Sequence, residues 1–116
     1  MRFGLTPDML EAAYEYLRAS KPFRGMKLPH PDDLVFRVSR HADRFAHFWA
    51  VNNNHWELAV SEVNVDGTLI LLPTMAHEMI HLYQEKNKLL GNHNEEFMRV
   101  AKLVCRYHKF DLTTFV

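Results

Sequence analysis

The chain of 116 residues is 47% hydrophobic and 24% charged, a composition that predicts one globular domain spanning residues 1–116. Its 14 Lys and Arg balance 14 Asp and Glu, and this zero net charge excludes a uniformly basic protein that coats nucleic acid. A single cysteine, Cys105, excludes an intramolecular disulfide and a thiolate zinc cluster. Because no apolar run reaches signal-peptide or membrane-spanning length, we expect a cytoplasmic protein that makes no membrane contact.

The first two thirds of the chain predict a helix followed by a small sheet. Thr6 is a suitable N-cap, Pro7 suits the first helical position, and apolar residues then recur at helical spacing as far as Leu17. Patterns that are alternating or rich in aromatic residues predict strands at 34–39, 45–51 and 56–61, with a further short hairpin arm within 63–72. We therefore expect a small antiparallel sheet of three or four strands.

Two more helices complete a predicted fold of the α+β class, in the order helix, sheet, helix, helix. Thr74 can cap a helix that runs to about Leu90, where Gly91 offers a left-handed stop. Asn92 or Asn94 can cap the C-terminal helix. The apolar stripe of that last helix consists of Phe97, Val100, Ala101, Val104 and Cys105.

The segment His77-Glu78-Met79-Ile80-His81 is an HExxH motif within the first of these two helices. Residues four apart lie above one another on one helix face, so His77 and His81 can bind one zinc ion from adjacent turns. Glu78 lies about 100° round the helix from His77, where its carboxylate can accept a proton from the water that attacks the substrate. The motif therefore predicts one catalytic zinc ion with Glu78 as the general base.

A catalytic zinc site needs a third protein ligand and an open fourth position. Glu85 follows on the same helix face but lies about 6 Å further along the axis than His81, too far to reach the same ion comfortably. We favour His93, which comes twelve positions after His81 and beyond a predicted chain reversal. Glu96 and Glu95 are the alternatives, and either would give a His-His-Glu site.

Two blocks of the sequence resemble the SprT-like zinc metalloprotease domain, the family that includes Spartan. The first block, residues 72–81, looks like the family's passage into its HExxH helix. The second block, residues 92–97, is similar to the family's Gly-His-Gly followed by one or two polar residues and an aromatic residue. Asn92 and Asn94 stand where the family has glycines, and Asn tolerates the left-handed backbone that such a turn uses.

The resemblance implies that His77, His81 and His93 hold the zinc ion and that Glu78 is the catalytic base. It implies a minimal protease core, because no Cys-rich zinc ribbon of the kind many family members carry precedes Val116. The function expected is hydrolysis of peptide bonds in a protein or peptide, with DNA-associated proteins as a candidate class. The alternatives are a catalytically silent zinc-binding or DNA-associated module of the same fold, and a metal-dependent hydrolase of a non-peptide substrate.

Four further groups of residues are secondary candidates. Oxyanion stabilisation could come from Tyr83, Tyr107 or His108. A substrate peptide could add as a strand beside 56–61 or its neighbour. The last helix carries a basic stripe that consists of Arg99, Lys102, Arg106 and Lys109. We favour a solvated helix face as its role, and a weak DNA contact is the alternative. The histidines expected at the surface or in packing are His30, His41, His47 and His55, of which the last is the candidate for a cleft position.

Overall fold

A computed structural model of the protein describes residues 4–40, 43–52 and 55–116. The predicted α+β class is confirmed. The elements within these ranges are helix α1 (Pro7–Ala19), strands β1 (Leu34–Ser39), β2 (Ala46–Asn52) and β3 (His55–Ser61), and helices α2 (Thr68–Lys86), α3 (Glu95–His108) and α4 (Leu112–Phe115). None of the helices in the described ranges combines the length and the apolar character needed to cross a membrane.

Helix α1 begins where its sequence predicts. The Thr6 hydroxyl accepts a hydrogen bond from the Met9 amide at 3.2 Å, and Pro7 occupies the first turn. The buried side chains of this helix are Leu10, Ala13, Tyr14 and Leu17, and they pack the helix against α2 and β1. Helix α1 thus supports the inner side of the helix that carries the HExxH motif.

The sheet has three strands in the order β1-β3-β2 and is mixed, so the prediction of an antiparallel sheet is right for β2 and β3 and wrong for β1. Strand β2 pairs with β3 antiparallel, whereas β1 pairs with β3 parallel. Strand β3 takes the central place because it alone buries side chains on both faces, Leu58 and Val60 on one and Ala59 on the other. Strands β1 and β2 are therefore the two edges of the sheet.

The segment predicted as a hairpin arm, residues 63–72, is instead a turn followed by the first turns of α2. Gly67 is the N-cap, so Thr74 is not, and the helix begins before Pro73 rather than after it. Pro73 is the sixth residue of this helix, so the helix lacks the hydrogen bond that an amide at this position would donate to the carbonyl of Leu69. Leu71 is buried in the core, and its packing favours the helical conformation over a strand.

Helix α2 also ends four residues earlier than predicted, at Lys86. Lys88, not Gly91, adopts the left-handed conformation, with a φ of 58°. The Leu89 amide donates to the Gln84 carbonyl at 2.7 Å and the Lys88 amide donates to the Glu85 carbonyl at 3.1 Å. This pair of bonds is a Schellman motif, and it reverses the chain directly after the helix.

The C-terminal region contains α3 as predicted and one helix that the sequence pattern missed. Asn94 rather than Asn92 caps α3, because its side-chain oxygen accepts from the Phe97 amide at 3.0 Å. The short α4, capped by Asp111, packs against α3 and α2 and buries Phe115. His41, one of the histidines expected at the surface or in packing, lies outside the described part of the chain.

Candidate metal centre

Three histidines from two separate parts of the chain converge at one point. His77 and His81 lie on α2, and His93 lies in the loop that joins α2 to α3. Their ring centroids form a triangle with sides of 5.0, 5.0 and 5.1 Å. One ring nitrogen from each histidine lies within 4.8 Å of those from the other two. The predicted ligand set is thus brought together, with His93 in the third place.

The ring orientation of both helical histidines is set by acceptors outside the triangle. The Nδ1 of His77 lies 2.7 Å from the carbonyl oxygen of Phe115, and a carbonyl can only accept, so this Nδ1 carries the proton and donates. The Nδ1 of His81 likewise donates to the Oε1 of Gln84 at 2.8 Å. The proton on Nδ1 leaves a lone pair on the Nε2 of each neutral ring, and an unprotonated nitrogen is what a metal requires.

One pair of ring nitrogens has the spacing that two ligands of a zinc ion require. The Nε2 atoms of His81 and His93 are 3.2 Å apart. Two nitrogen ligands of a tetrahedral zinc ion lie about 3.3 Å apart, given zinc–nitrogen bonds of about 2.0–2.1 Å. Burial lowers the pKa of His77 and of His81, which keeps these two imidazoles in the neutral form that binds metal. The donor type, the spacing of this pair and the neutral form of the two helical imidazoles suit zinc.

Phe97 forms an aromatic platform beneath the histidines. Its ring stacks on His93, with centroids 4.2 Å apart and planes only 4° from parallel, and on His81 at 4.8 Å. The edge of the same ring approaches His77 at 5.1 Å. Phe97 is fully buried in the core, so the three imidazoles rest on a side chain that cannot easily move. This rigid contact also orients His93, the most exposed ligand candidate.

Glu78 occupies the wall of an open cleft next to this triangle. The cleft has a volume of about 520 Å³, and both His77 and Glu78 line it. Glu78 is only 8% exposed, and burial raises the pKa of its carboxyl to about 7. The other walls of the cleft come from the start of β2, the first turns of α2 and the C-terminal segment, including Phe45, Leu69, Pro73 and Phe115.

The alternative third ligands do not join the histidines. The carboxylate of Glu96 forms two hydrogen bonds with the guanidinium of Arg99, at 2.6 and 3.2 Å, and this partner holds the pKa of Glu96 below its usual value. Glu95 is exposed in the first turn of α3. Within the described residues, the one group with metal-ligand geometry contains neither carboxylate.

The three oxyanion candidates lie away from the cleft. His108 bonds to the carbonyl oxygen of Lys21 at 2.9 Å, and the ammonium of Lys21 lies over the ring of Tyr107. Tyr83 packs against the core. None of the three lines the cleft that contains Glu78. The site offers no support for their predicted role.

The other described histidines have local contacts in the scaffold. His30 caps a short 3-10 turn, Pro31–Asp33, by accepting from the Asp32 amide, and His47 stacks on Trp49. His55, the candidate for a cleft position, lies at the start of β3 and does not line the cleft. The expectation of surface or packing roles is thus met for these three.

The basic stripe of α3 begins beside the metal-ligand candidates. A shallow concavity of about 750 Å³ is lined by His93 at one end and by Arg99, Lys102 and Arg106 along its length. Arg99 is engaged by Glu96, whereas Lys102 and Arg106 are exposed. Lys109 lies beyond α3 as its left-handed C-cap, with a φ of 63°, and is outside this lining.

Two residues that position the site were not predicted from the sequence. Gln84 looks like one more polar residue at the end of a helix, yet its side chain is completely buried beside His81. Phe115 acts through its backbone carbonyl, which leaves no trace in side-chain chemistry. The spacing of Gln84 three residues after His81 is the one signal that could have suggested its contact.

No model of a known protein family matches this chain, and a search of curated proteins finds no match either.

Proposed function

We propose that this protein is a zinc-dependent peptidase of the SprT-like kind, acting on protein or peptide substrates. The observation that carries the proposal is the convergence of His77, His81 and His93 beside the buried carboxyl of Glu78, on the wall of an open cleft. A purely structural zinc site closes its fourth position with protein and has no use for a carboxyl group beside it. The open cleft therefore favours catalysis over a silent zinc module.

The residues of the chain have separate parts in the proposed reaction. His77, His81 and His93 would hold the zinc ion, which supplies Lewis-acid polarisation of the scissile carbonyl and of the attacking water. Glu78 would accept the proton of that water and return it to the departing amine. Phe97 and the carbonyl of Phe115 keep the imidazoles in place while this happens.

The sheet edge next to the cleft is the proposed place for the substrate backbone. Strand β3 is paired on both sides, so the 56–61 segment cannot accept a further strand. Its neighbour β2 is an edge strand, and both its first residue, Ala46, and the preceding Phe45 line the cleft. An extended peptide added to β2 would therefore enter the cleft beside His77 and Glu78.

The proposal is tested first by zinc content and by cleavage of a permanently unfolded protein such as reduced, alkylated casein. We expect one zinc ion per chain, cleavage that a chelator abolishes, and recovery of cleavage when zinc is restored. One zinc ion without cleavage would favour the silent module, and hydrolysis of small esters alone would favour a non-peptide hydrolase. The absence of bound zinc would overturn all three readings.

The DNA-associated part of the proposal is tested in the same assay. Single-stranded DNA is added over a range of salt concentrations, because contacts between basic side chains and phosphates weaken steeply with salt. Stimulation that disappears at high salt and in Lys102→Gln/Arg106→Gln supports a DNA contact through the α3 stripe. Cleavage that is indifferent to DNA leaves a peptidase without this partner. A cytoplasmic location belongs to the same proposal and rests on the single cysteine.

The rim of the cleft provides a prediction about substrate binding. Leu69 lines the cleft and is 92% exposed, so Leu69→Gln should leave the fold intact while removing an apolar contact to the peptide. Loss of about 1 kcal/mol of apolar contact corresponds to a roughly fivefold decrease in kcat/KM, carried mainly by KM. Val63→Gln is the control, because Val63 is 52% exposed and does not line the cleft. Equal kinetics for the two variants would contradict a peptide path over Leu69.

A further inference from the structure

Gln84 is a fully buried amide that lies between the second histidine and the loop carrying the third. Its exposed fraction is 0%, in the last turn of α2. A buried amide is costly unless its oxygen and nitrogen are both hydrogen-bonded. Both are bonded here, and the partners belong to the two parts of the chain that must meet for the site to form.

The partners determine which way round the amide lies. Its Nε2 donates to the carbonyl oxygen of Asn92 at 3.1 Å, and a carbonyl can only accept. It also lies 3.4 Å from the Oδ1 of Asn94, the same oxygen that accepts from the Phe97 amide. The Oε1 of Gln84 is thereby turned towards His81 and accepts the proton on its Nδ1. One amide orients an imidazole and holds a loop.

The backbone of Gln84 acts on the same loop. Its carbonyl accepts from the Leu89 amide at 2.7 Å, which closes the Schellman motif and sends the chain back towards the helix. The side chain then bonds to Asn92 and Asn94, the two residues on either side of His93. His93 is thus fixed from both flanks by a single residue of the helix that carries His77 and His81.

We propose that Gln84 is a positioning residue that pre-assembles the three-histidine centre before any metal arrives. It keeps the proton of His81 on Nδ1, so that Nε2 presents its lone pair, and it holds the His93 loop so that His93 faces His81. The inference rests on the proposed function for its metal. Its first consequences, the tautomer of His81 and the order of the loop, are properties of the zinc-free protein.

Two substitutions separate the two actions of Gln84. Gln84→Met has a similar length and no hydrogen-bonding group, so it should lose both. Gln84→Glu keeps an acceptor for His81 but cannot donate to Asn92, so it should keep the tautomer and release the loop. Glu85→Gln is the matched control, since Glu85 is the exposed neighbour on the same turn.

The tautomer is measured by nitrogen–proton NMR correlations of the imidazole rings in zinc-free protein at pH 8, where ordinary histidines are neutral. We expect the Nδ1–H form of His81 in the wild type, Gln84→Glu and Glu85→Gln, and a mixture with the Nε2–H form in Gln84→Met. Hydrogen exchange of the amides from 88 to 94 should accelerate in both Gln84 variants and in neither of the other proteins.

Zinc affinity, measured by competition with a chromophoric chelator, gives the final comparison. Loss of a residue that orients a metal ligand typically costs about 10–100-fold in affinity. We expect a loss of this size in Gln84→Met and no loss in the control Glu85→Gln. Wild-type affinity in Gln84→Met, or an Nε2–H tautomer of His81 in the wild type, would overturn the inference. The wild-type tautomer decides the matter even if Gln84→Met fails to fold. A wild type that binds no zinc would instead overturn the proposed function, while the tautomer and exchange measurements still judge the role of Gln84.

Discussion

The variant Glu78→Gln is expected to retain its zinc ion and lose peptide hydrolysis. The side chain lines the cleft beside His77 and does not belong to the group of three metal-ligand candidates, so an amide in its place leaves the ligand set intact. A positioned general base typically contributes about 10²–10⁴-fold to the rate, and the decrease should appear in kcat rather than in KM. Zinc content and single-turnover cleavage of unfolded casein are the two measurements.

The control for this variant is Glu85→Gln on the same helix. Glu85 is exposed and does not line the cleft, so the same chemical change there should alter neither zinc content nor rate. The Glu78 carboxyl is already largely buried, with its pKa raised by burial, so the neutral amide suits the site and the fold should not suffer. Full cleavage by Glu78→Gln would contradict the role of Glu78 as the base.

The second large effect concerns the three metal-ligand candidates. His81→Ala and His93→Ala should each lower zinc affinity by more than the roughly 10–100-fold that a change in a ligand's supporting residue costs. The reason is geometric: removing either ring eliminates one of the two nitrogens that face each other at 3.2 Å. Cleavage should be lost together with the metal, and excess zinc should restore it only partly.

The choice of third ligand is decided by comparing His93→Ala with Glu96→Gln. Glu96 is held by Arg99 on its own helix, so Glu96→Gln should keep wild-type affinity for zinc. Thermal unfolding gives an independent measurement, because zinc at about 100 times its Kd stabilises a folded protein by about 2.7 kcal/mol. We expect zinc to raise the Tm of the wild type and of Glu96→Gln, and not that of His93→Ala. The reverse result would assign the third ligand to α3.

The candidate site was largely predictable because its chemistry is encoded locally. Two imidazoles four residues apart on one helix share a face whatever the rest of the fold does. The third ligand required a guess about chain reversal, and His93 was favoured over two carboxylates for its position after the helix. The chain does reverse and bring His93 beside His77 and His81, but Lys88 rather than Gly91 adopts the left-handed conformation at the turn.

The errors in the prediction of the fold share one physical cause, which is tertiary packing. The apolar segment 63–72, with Pro73 after it, fits a strand and a helix start equally well when only neighbouring residues are considered. Burial of Leu71 in the core selects the helix. In the same way, the parallel pairing of β1 depends on which strand can be covered on both faces, and the alternation within β1 carries no information about that choice.

By itself, the sequence determined the class of fold, the two helical ligand candidates and the candidate base, because caps, periodicity and an i, i+4 pair act over a few residues. Only the tertiary structure decided how the imidazoles are oriented. Gln84 and the carbonyl of Phe115 fix the protons of His81 and His77, and Phe97 supports all three rings. Phe115 lies 38 positions along the chain from His77. Gln84 lies only three residues from His81 on the same helix, but its amide is oriented by the carbonyl of Asn92 in the following loop. Both arrangements exist only once the chain has packed.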